Sequence, residues 1–316
     1  MLTKVKRKIL GTQYYFHCKE IRRKTILIKS INDYKIMNRL KYGCLAKKNG
    51  QYFMIKMLNP FNAFYNIKTR ARYDYNIEKM SFQNEYNILK RFNEPNIIKI
   101  YEYGYIDNKI MINMLTLFMK NHNMIRNLRL YYKIYEYIEG DNLALLMKRN
   151  QIEKKNYIPL AIEICKALNI IHSKNVIHLD FKPSNIVVTK NNKVKIIDFE
   201  FSRIENEIPN KYFYKINPFT IKYAAPEQFL PKQILTKKTD IYLLGIILYE
   251  LFTGTNFWED VINPYKCITH PKKINPSIPS ILSDMIINCL QFKQENRKVQ
   301  IENLIKELEI VFNKKF

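Results

Sequence analysis

The sequence predicts an α+β protein of two lobes, a small β-rich one followed by a larger α-helical one, with a cleft between. Three observations predict it. The first 138 residues carry β-prone runs punctuated by turn signals. The remainder shows apolar residues recurring at helical spacing. Within it, residues 240–252 are apolar on nearly every face, the pattern of a central buried helix.

The elements follow in chain order. Residues 1–30 form a basic N-terminal extension, 31–138 the first lobe and 139–316 the second. Asn49-Gly50 is a hairpin turn leading into a strand over Gln51–Leu58. Ser81–Phe92 reads as a helix, with Phe82, Tyr86, Leu89 and Phe92 on one face. Residues 104–130 read as an irregular insertion between strands. In the second lobe, Leu160, Ile164, Ala167, Leu168 and Ile171 place an amphipathic helix over Tyr157–His172. Asp240–Phe252, Ser280–Leu290 and Gln300–Phe312 complete the helical part.

Composition narrows the classes. With 316 residues, 47% apolar and 13% aromatic, the chain can bury a full core and is not disordered. It has only seven glycines. Its five cysteines are scattered without CxxC spacing, which argues against a zinc site or disulfide framework and for reduced thiols in the cytoplasm. The N-terminus MLTKVKRKILGTQYYF lacks an apolar h-region, and the longest apolar run, Ile241–Phe252, contains Glu250 and is too short to span a bilayer. No transmembrane segment is expected. The net charge of +25 is uneven: residues 1–50 hold fourteen Lys/Arg against Glu20 and Asp33. Contact with nucleic acid or an anionic membrane through this region is conceivable but not favoured, because the charges form neither a helical stripe nor an aromatic-interleaved pattern. The same richness in Lys, Asn, Ile and Tyr runs through the whole chain, as coding bias would give.

One stretch carries chemistry. Asn191-Asn192 is a type I′ turn signal between the β-prone runs 186–190 and 193–197. A two-residue hairpin would pair residue 186 with 197 and set Asn185 beside Asp198, with Cα atoms roughly 4.5–5.5 Å apart. A carboxylate beside an amide oxygen is a hard-oxygen site suited to magnesium. Asp180 lies on the loop leading into it.

The segment Val176–Asn185, VIHLDFKPSN, resembles the catalytic loop of the protein kinase family, Ser/Thr type. The resemblance implies that Asp180 accepts the substrate hydroxyl proton, that Lys182 steadies the transferring phosphoryl group, and that Asn185 and Asp198 hold Mg²⁺, with Mn²⁺ as an alternative. It extends over roughly residues 31–312. Tyr223–Glu227, YAAPE, resembles the family's Ala-Pro-Glu segment, with Arg297 as the matching partner of Glu227. Asp240 and Gly245 match the start of the helix beneath the catalytic loop, and Thr220 the threonine that bridges to that loop in Ser/Thr enzymes. Lys56 in FMIK resembles the phosphate-binding lysine, and Glu85 the helix glutamate that pairs with it. In Tyr135-Glu136-Tyr137-Ile138, Glu136 and Ile138 would meet adenine through backbone groups, with Tyr135 guarding the back pocket. The implied activity is transfer of the ATP γ-phosphate to Ser or Thr of a protein substrate.

Three positions depart from the family pattern. The glycine-rich loop reads Asn38-Arg39-Leu40-Lys41-Tyr42-Gly43, so only Gly43 survives, and weak ATP binding is expected unless Arg39 and Lys41 compensate with charge. Leu179 replaces the arginine that would receive an activation-loop phosphate on Ser202, Tyr212, Tyr214 or Thr220. Glu200 replaces the glycine of Asp-Phe-Gly and is expected to add a carboxylate near the metals. These losses motivate a second reading, a pseudokinase scaffold. A third, a small-molecule kinase, rests on the similarity of Ile197-Asp198-Phe199-Glu200 to choline-kinase and aminoglycoside-phosphotransferase sequences, and is opposed by the Ala-Pro-Glu segment and by Arg297.

Overall fold

The computed structural model describes residues 29–40, 43–58, 75–106, 129–207, 221–230, 234–257 and 268–314. The basic extension up to residue 28, Lys41, Thr220 and most of the expected insertion lie outside these residues. The chain divides into two compact units: one runs up to Tyr86 and includes Lys99–Tyr137, the other comprises Asn87–Ile98 and Ile138 onward. Residues 87–98 thus leave the first lobe, to which the sequence assigned them. Their place is set by a parallel bridge of Ile97 to Ile196, with Ile98 N–H donating to Ile196 O at 3.0 Å.

The first unit holds a six-stranded antiparallel sheet in the order β1-β2-β3-β4-β6-β5. Its strands are β1 (Ser30–Ile31), β2 (Tyr34–Leu40), β3 (Gly43–Lys48), β4 (Gln51–Met57), β5 (Ile100–Ile106) and β6 (Leu130–Glu136). The β3–β4 turn is the expected one: Asn49 and Gly50 both have positive φ, 48° and 81°, as a two-residue I′ turn requires. Residues 104–106 and 130, expected in the insertion, belong to β5 and β6, where Ile106 pairs with Leu130.

Helix α1 spans Tyr75–Leu89 rather than Ser81–Phe92. Its start lacks an apolar stripe, so periodicity misses it. It stops early because Arg91 and Phe92 N–H turn to the carbonyls of Ile88 and Leu89, three residues back. Phe92 is buried nonetheless, beyond the helix, against Phe199 at 5.7 Å between ring centroids. The sheet covers two clusters. Ile31, Tyr34, Cys44, Ala46, Phe53, Ile55, Tyr132 and Ile134 pack on one face, and Phe82 of α1 meets Tyr131 and Leu58 on the other. Strand β6 is therefore buried on both faces.

The second unit is mainly helical: α2 (Leu143–Lys148), α3 (Tyr157–Ser173), α4 (Lys237–Thr253), α5 (Pro271–Ile274), α6 (Ser280–Cys289) and α7 (Ile301–Lys314). It also carries the small sheets β10-β9-β7 and β11-β8, from β7 (Gly140–Asn142), β8 (Val176–Ile177), β9 (Ile186–Thr189), β10 (Val194–Ile196) and β11 (Arg203–Ile204). Helix α4 is the expected central helix, buried from Thr239 to Phe252. Thr236 caps its start by accepting from Lys238 N–H, and Gly254 ends it at φ 71°. Gly245 lets α6 approach, since a Cβ there would meet Cys289 Cβ at 2.8 Å. Cys165 and Cys289 are buried, and burial raises both thiol pKa values, that of Cys289 to about 12. Among the described residues no helix is long and apolar enough to cross a membrane.

Glu227 and Arg297 form the expected pair, bidentate at 2.6 and 2.9 Å and buried. Arg297 also donates to the carbonyls of Lys238, Gln291 and Phe292 and stacks over Tyr242, so every polar edge of the guanidinium is used. Removing one partner strands a buried charge. Arg297→Met is expected to lower unfolding free energy by about 3–5 kcal/mol. Urea denaturation should show the Glu227→Leu/Arg297→Met double variant losing less than the sum of the two single losses.

Candidate active site

The candidate residues divide between the two units. In the second, they lie on the loop from β8 to β9 and just beyond β10. Eight described non-glycine residues have positive φ; six are asparagines, for which this conformation is inexpensive, and the other two are Leu179 (64°) and Asp198 (66°). Strain of this kind persists only where surroundings enforce it. At Leu179 the enforcing groups are visible. Its N–H donates to Asp240 Oδ1 at 2.9 Å, and its carbonyl accepts from Gln228 Nε2 at 3.0 Å. Asp240, fully buried on α4, also accepts from His178 N–H at 2.8 Å and contacts His172 Nε2 at 2.9 Å.

Asp180 follows directly and is 2% exposed. Lys182 Nζ donates to its Oδ2 at 2.6 Å, and Asn185 Nδ2 donates to the same atom at 3.0 Å and to Asp180 O at 2.9 Å. The expected trio of Asp180, Lys182 and Asn185 is thus one hydrogen-bonded cluster. His178 lies beside it: the ring packs against Phe199 with centroids 4.7 Å apart and planes tilted by 51°, and Nδ1 accepts from Asp180 N–H at 3.3 Å. Burial lowers the His178 pKa despite the nearby charges of Asp240, Asp180 and Asp198, so the ring stays neutral and serves as packing.

The hairpin register differs from the expected one. Ile186 pairs with Ile196, not Ile197, and the turn has three residues rather than two. Asn192 N–H donates to Thr189 O and Asn192 itself is left-handed, a type I turn followed by an αL residue. Asn185 is consequently opposite Ile197, whose N–H donates to Asn185 O at 2.9 Å, and Asp198 is one residue further on.

The oxygen donors still suit a hard divalent cation. Asn185 commits its amide nitrogen to Asp180, which leaves Oδ1 as its ligating atom, and the neighbouring groups are carboxylates without thiolate. Among the described residues no group of three Asp, Glu, His or Cys side chains is placed to share a metal ion. The left-handed Asp198 and the turn at Glu200–Phe201 end the strand alternation that would return Glu200 to the face of Asp198. Ser202, one of the candidate phosphate acceptors, is buried and donates to His178 O at 3.2 Å.

In the first unit, Cys44 pairs with Ile55, which sets Gly43 level with Lys56 as expected. A Cβ on Gly43 would meet Ile55 O at 2.5 Å, so the position admits only glycine without a backbone shift. Glu136 N–H donates to Lys99 O, and its carboxylate accepts from Lys99 N–H at 2.7 Å. Glu85, 2% exposed on α1, accepts at Oε2 from Tyr135 OH at 2.8 Å and from Lys133 Nζ. The sequence named Lys56 as the partner of Glu85. Lys56 does act on that carboxylate through its charge, but the buried ion pair is with Lys133. Lys133 was legible in principle: a lysine inside the apolar strand LYYKIYE is a residue type almost never buried unless paired.

The matching family model is the protein kinase domain, over residues 41–308. The chain belongs to the protein kinase family. It is 31% identical to a probable serine/threonine-protein kinase of Clostridium acetobutylicum over 73% of this chain and 33% of that protein. A probable serine/threonine-protein kinase of Clostridium perfringens is 28% identical over 86% of the chain and 38% of its own length. The Aurora kinase of Saccharomyces cerevisiae is 30% identical over 71% and 55%. The chain therefore spans about a third of the two clostridial relatives it matches. The two units carry the α+β two-lobed protein kinase fold, and the family uses ATP and a divalent metal.

Burial by itself would raise the Glu85 pKa, but the charges of Lys133 and Lys56 and the hydrogen bonds from Lys133 and Tyr135 hold it well below the ordinary glutamate value. A depressed folded-state pKa gives stability that is complete above about pH 4.3 and is lost as pH falls below it. Wild type should therefore exceed Glu85→Gln in urea resistance at neutral pH, with the gap narrowing as pH is lowered through 4. A gap that stays constant over that range would show Glu85 to be uncharged in the folded protein.

Proposed function

We propose that this protein is a serine/threonine protein kinase that transfers the γ-phosphate of Mg²⁺-bound ATP, or of its Mn²⁺ complex, to protein substrates. The observation that carries the reading is the cluster in which Asp180 receives both Lys182 and Asn185.

On this reading Asp180 is the acceptor of the substrate hydroxyl proton. The Lys182 ammonium is 2.6 Å from Asp180 Oδ2 and lies where it can meet the γ-phosphate as charge shifts. Asn185 Oδ1 and the Asp198 carboxylate hold the metal, which when bound neutralises phosphate charge. Lys56 binds the phosphates beside Gly43, and Glu136 and Ile138 meet adenine through backbone groups. With only Gly43 kept in the 38–43 segment, nucleotide affinity is expected to be modest unless Arg39 and Lys41 compensate with charge. Phosphoryl transfer asks the protein mainly for position and electrostatics, which is what a preorganised Asp180 supplies. Thr220 completes the assignment as the bridge to the catalytic loop. The retained Tyr223–Glu227 segment with its Arg297 pair favours a protein substrate over a small molecule.

Asp180→Asn is expected to reduce transfer of radiolabel from ATP to a generic protein substrate by at least about 10²-fold. Its calorimetric affinity for MgATP should stay within threefold of wild type. Asp198→Ala should lose transfer together with the metal dependence of nucleotide binding. A wild-type protein that binds MgATP yet transfers no phosphate under any condition would move the reading to a scaffold.

A further inference from the structure

The peptide unit between Leu179 and Asp180 is held at both edges. Its carbonyl oxygen accepts from Gln228 Nε2 at 3.0 Å, and its N–H, which belongs to Asp180, donates to His178 Nδ1 at 3.3 Å. A peptide unit is planar, so groups that hold its C=O and its N–H fix the rotation of the plane. The Asp180 Cα lies in that plane, and the direction in which the carboxylate leaves the backbone follows from it. Leu179 reaches the unit from a left-handed φ of 64°. That conformation costs a residue with a Cβ about 1–2 kcal/mol, and it is kept only while neighbours hold it.

Gln228 is itself oriented. It is 4% exposed, and its Oε1 accepts from Ala225 N–H at 2.9 Å, which turns the nitrogen of the amide to the Leu179 carbonyl. The site asks for an acceptor at one end and a donor at the other, and a side-chain amide supplies both. An ionised carboxylate supplies two acceptors, and an aliphatic chain neither. One residue earlier, Glu227 is clamped by Arg297 at 2.6 and 2.9 Å. A continuous run of polar contacts thus leads from Arg297 through Glu227 and Gln228 to the backbone of Asp180, all within the second unit.

We propose that Gln228 is a positioning residue for Asp180: its amide sets the plane of the Leu179–Asp180 peptide and so aims the carboxylate at the substrate hydroxyl. The inference deepens the reading above and rests on its assignment of Asp180 as the proton acceptor. Phosphoryl transfer depends on alignment, and a displacement of about 1 Å at a reacting group can cost about 10²-fold in rate. On the same reading the nucleotide is held by other residues. Loss of the Gln228 amide therefore slows transfer while nucleotide affinity stays.

The test compares wild type with Gln228→Leu and Gln228→Glu on the full chain, well below their melting temperatures. It reads the single-turnover rate of radiolabel transfer from MgATP to a generic protein substrate, and the calorimetric Kd for MgATP. Gln228→Leu is expected to slow transfer by at least about tenfold, with the Kd within about threefold of wild type. Gln228→Glu fills the same space. Its ionised carboxylate would set an acceptor against the Leu179 carbonyl, whereas its protonated form donates as the amide does. Burial raises the pKa of such a carboxyl above the ordinary value of about 4.3. The ratio of its transfer rate to that of wild type should therefore rise at least about threefold as pH is lowered from about 8 to about 6. A Gln228→Leu protein with a lowered melting temperature but the wild-type rate per folded molecule would reduce Gln228 to a structural role and overturn the inference. A Gln228→Glu ratio that stays constant over that pH range would overturn it too. If Gln228→Leu does not fold, the pH profile of Gln228→Glu decides alone. A wild type that transfers no phosphate removes the functional reading itself and this inference with it. Transfer by the wild type with an unaltered rate in Gln228→Leu removes this inference alone.

Discussion

The second unit depends on one buried carboxylate. Asp240 lies fully buried in the first turn of α4, where an isolated ion would be untenable. Three donors reach it: the amides of His178 and Leu179 and the imidazole of His172. Their convergence bends the β8–β9 loop over the helix end. The bend holds Leu179 in a left-handed conformation that a branched apolar residue avoids by itself. Gln228 closes the other side by taking the Leu179 carbonyl while its own oxygen accepts from Ala225 N–H. The Ala-Pro-Glu segment and the catalytic loop are thus joined through a residue no motif had singled out. Asp180 inherits its orientation from this arrangement.

Much of this was legible in the sequence because it depends on local pattern. Helix α4 announces itself by a long, mainly apolar run ended by Gly254, and the Asn49-Gly50 turn by the two residues that best tolerate positive φ. The Glu227–Arg297 pair was legible only through resemblance, since seventy residues separate the partners. The failures are instructive in the same terms. Asn191-Asn192 fits a two-residue turn as well as the end of a three-residue one, and side-chain chemistry alone does not fix which asparagine is left-handed. Lys133 was passed over because apolar neighbours hide a lysine when a strand is read for its period. Only the packing of α1 on that face shows that Glu85 is there to receive it.

Among the described residues each unit contains a buried, hydrogen-bonded ion pair between distant segments, Glu85–Lys133 in the first and Glu227–Arg297 in the second. Such pairs contribute little net stability once desolvation is counted. Their effect is on specificity: a helix shifted by one turn, or a segment docked in another register, would leave a charge buried without its partner. The first pair fixes α1 against β6, and the second fixes the segment after residue 223 against the chain leading into α7.

The scarcity of glycine has a consequence for the unfolded chain. Six of the described left-handed positions, from Asn32 to Asn206, are served by asparagine, where many proteins would use glycine. A side chain at these turns narrows the conformations available before folding, so less backbone entropy is lost when they form. That gain offsets the modest strain each asparagine accepts in the native turn. The exchange has a chemical side as well, because asparagine amides are among the thermolabile groups that heat-adapted proteins avoid. The loops of this protein are economical in entropy at ordinary temperatures and susceptible to slow covalent ageing at high ones.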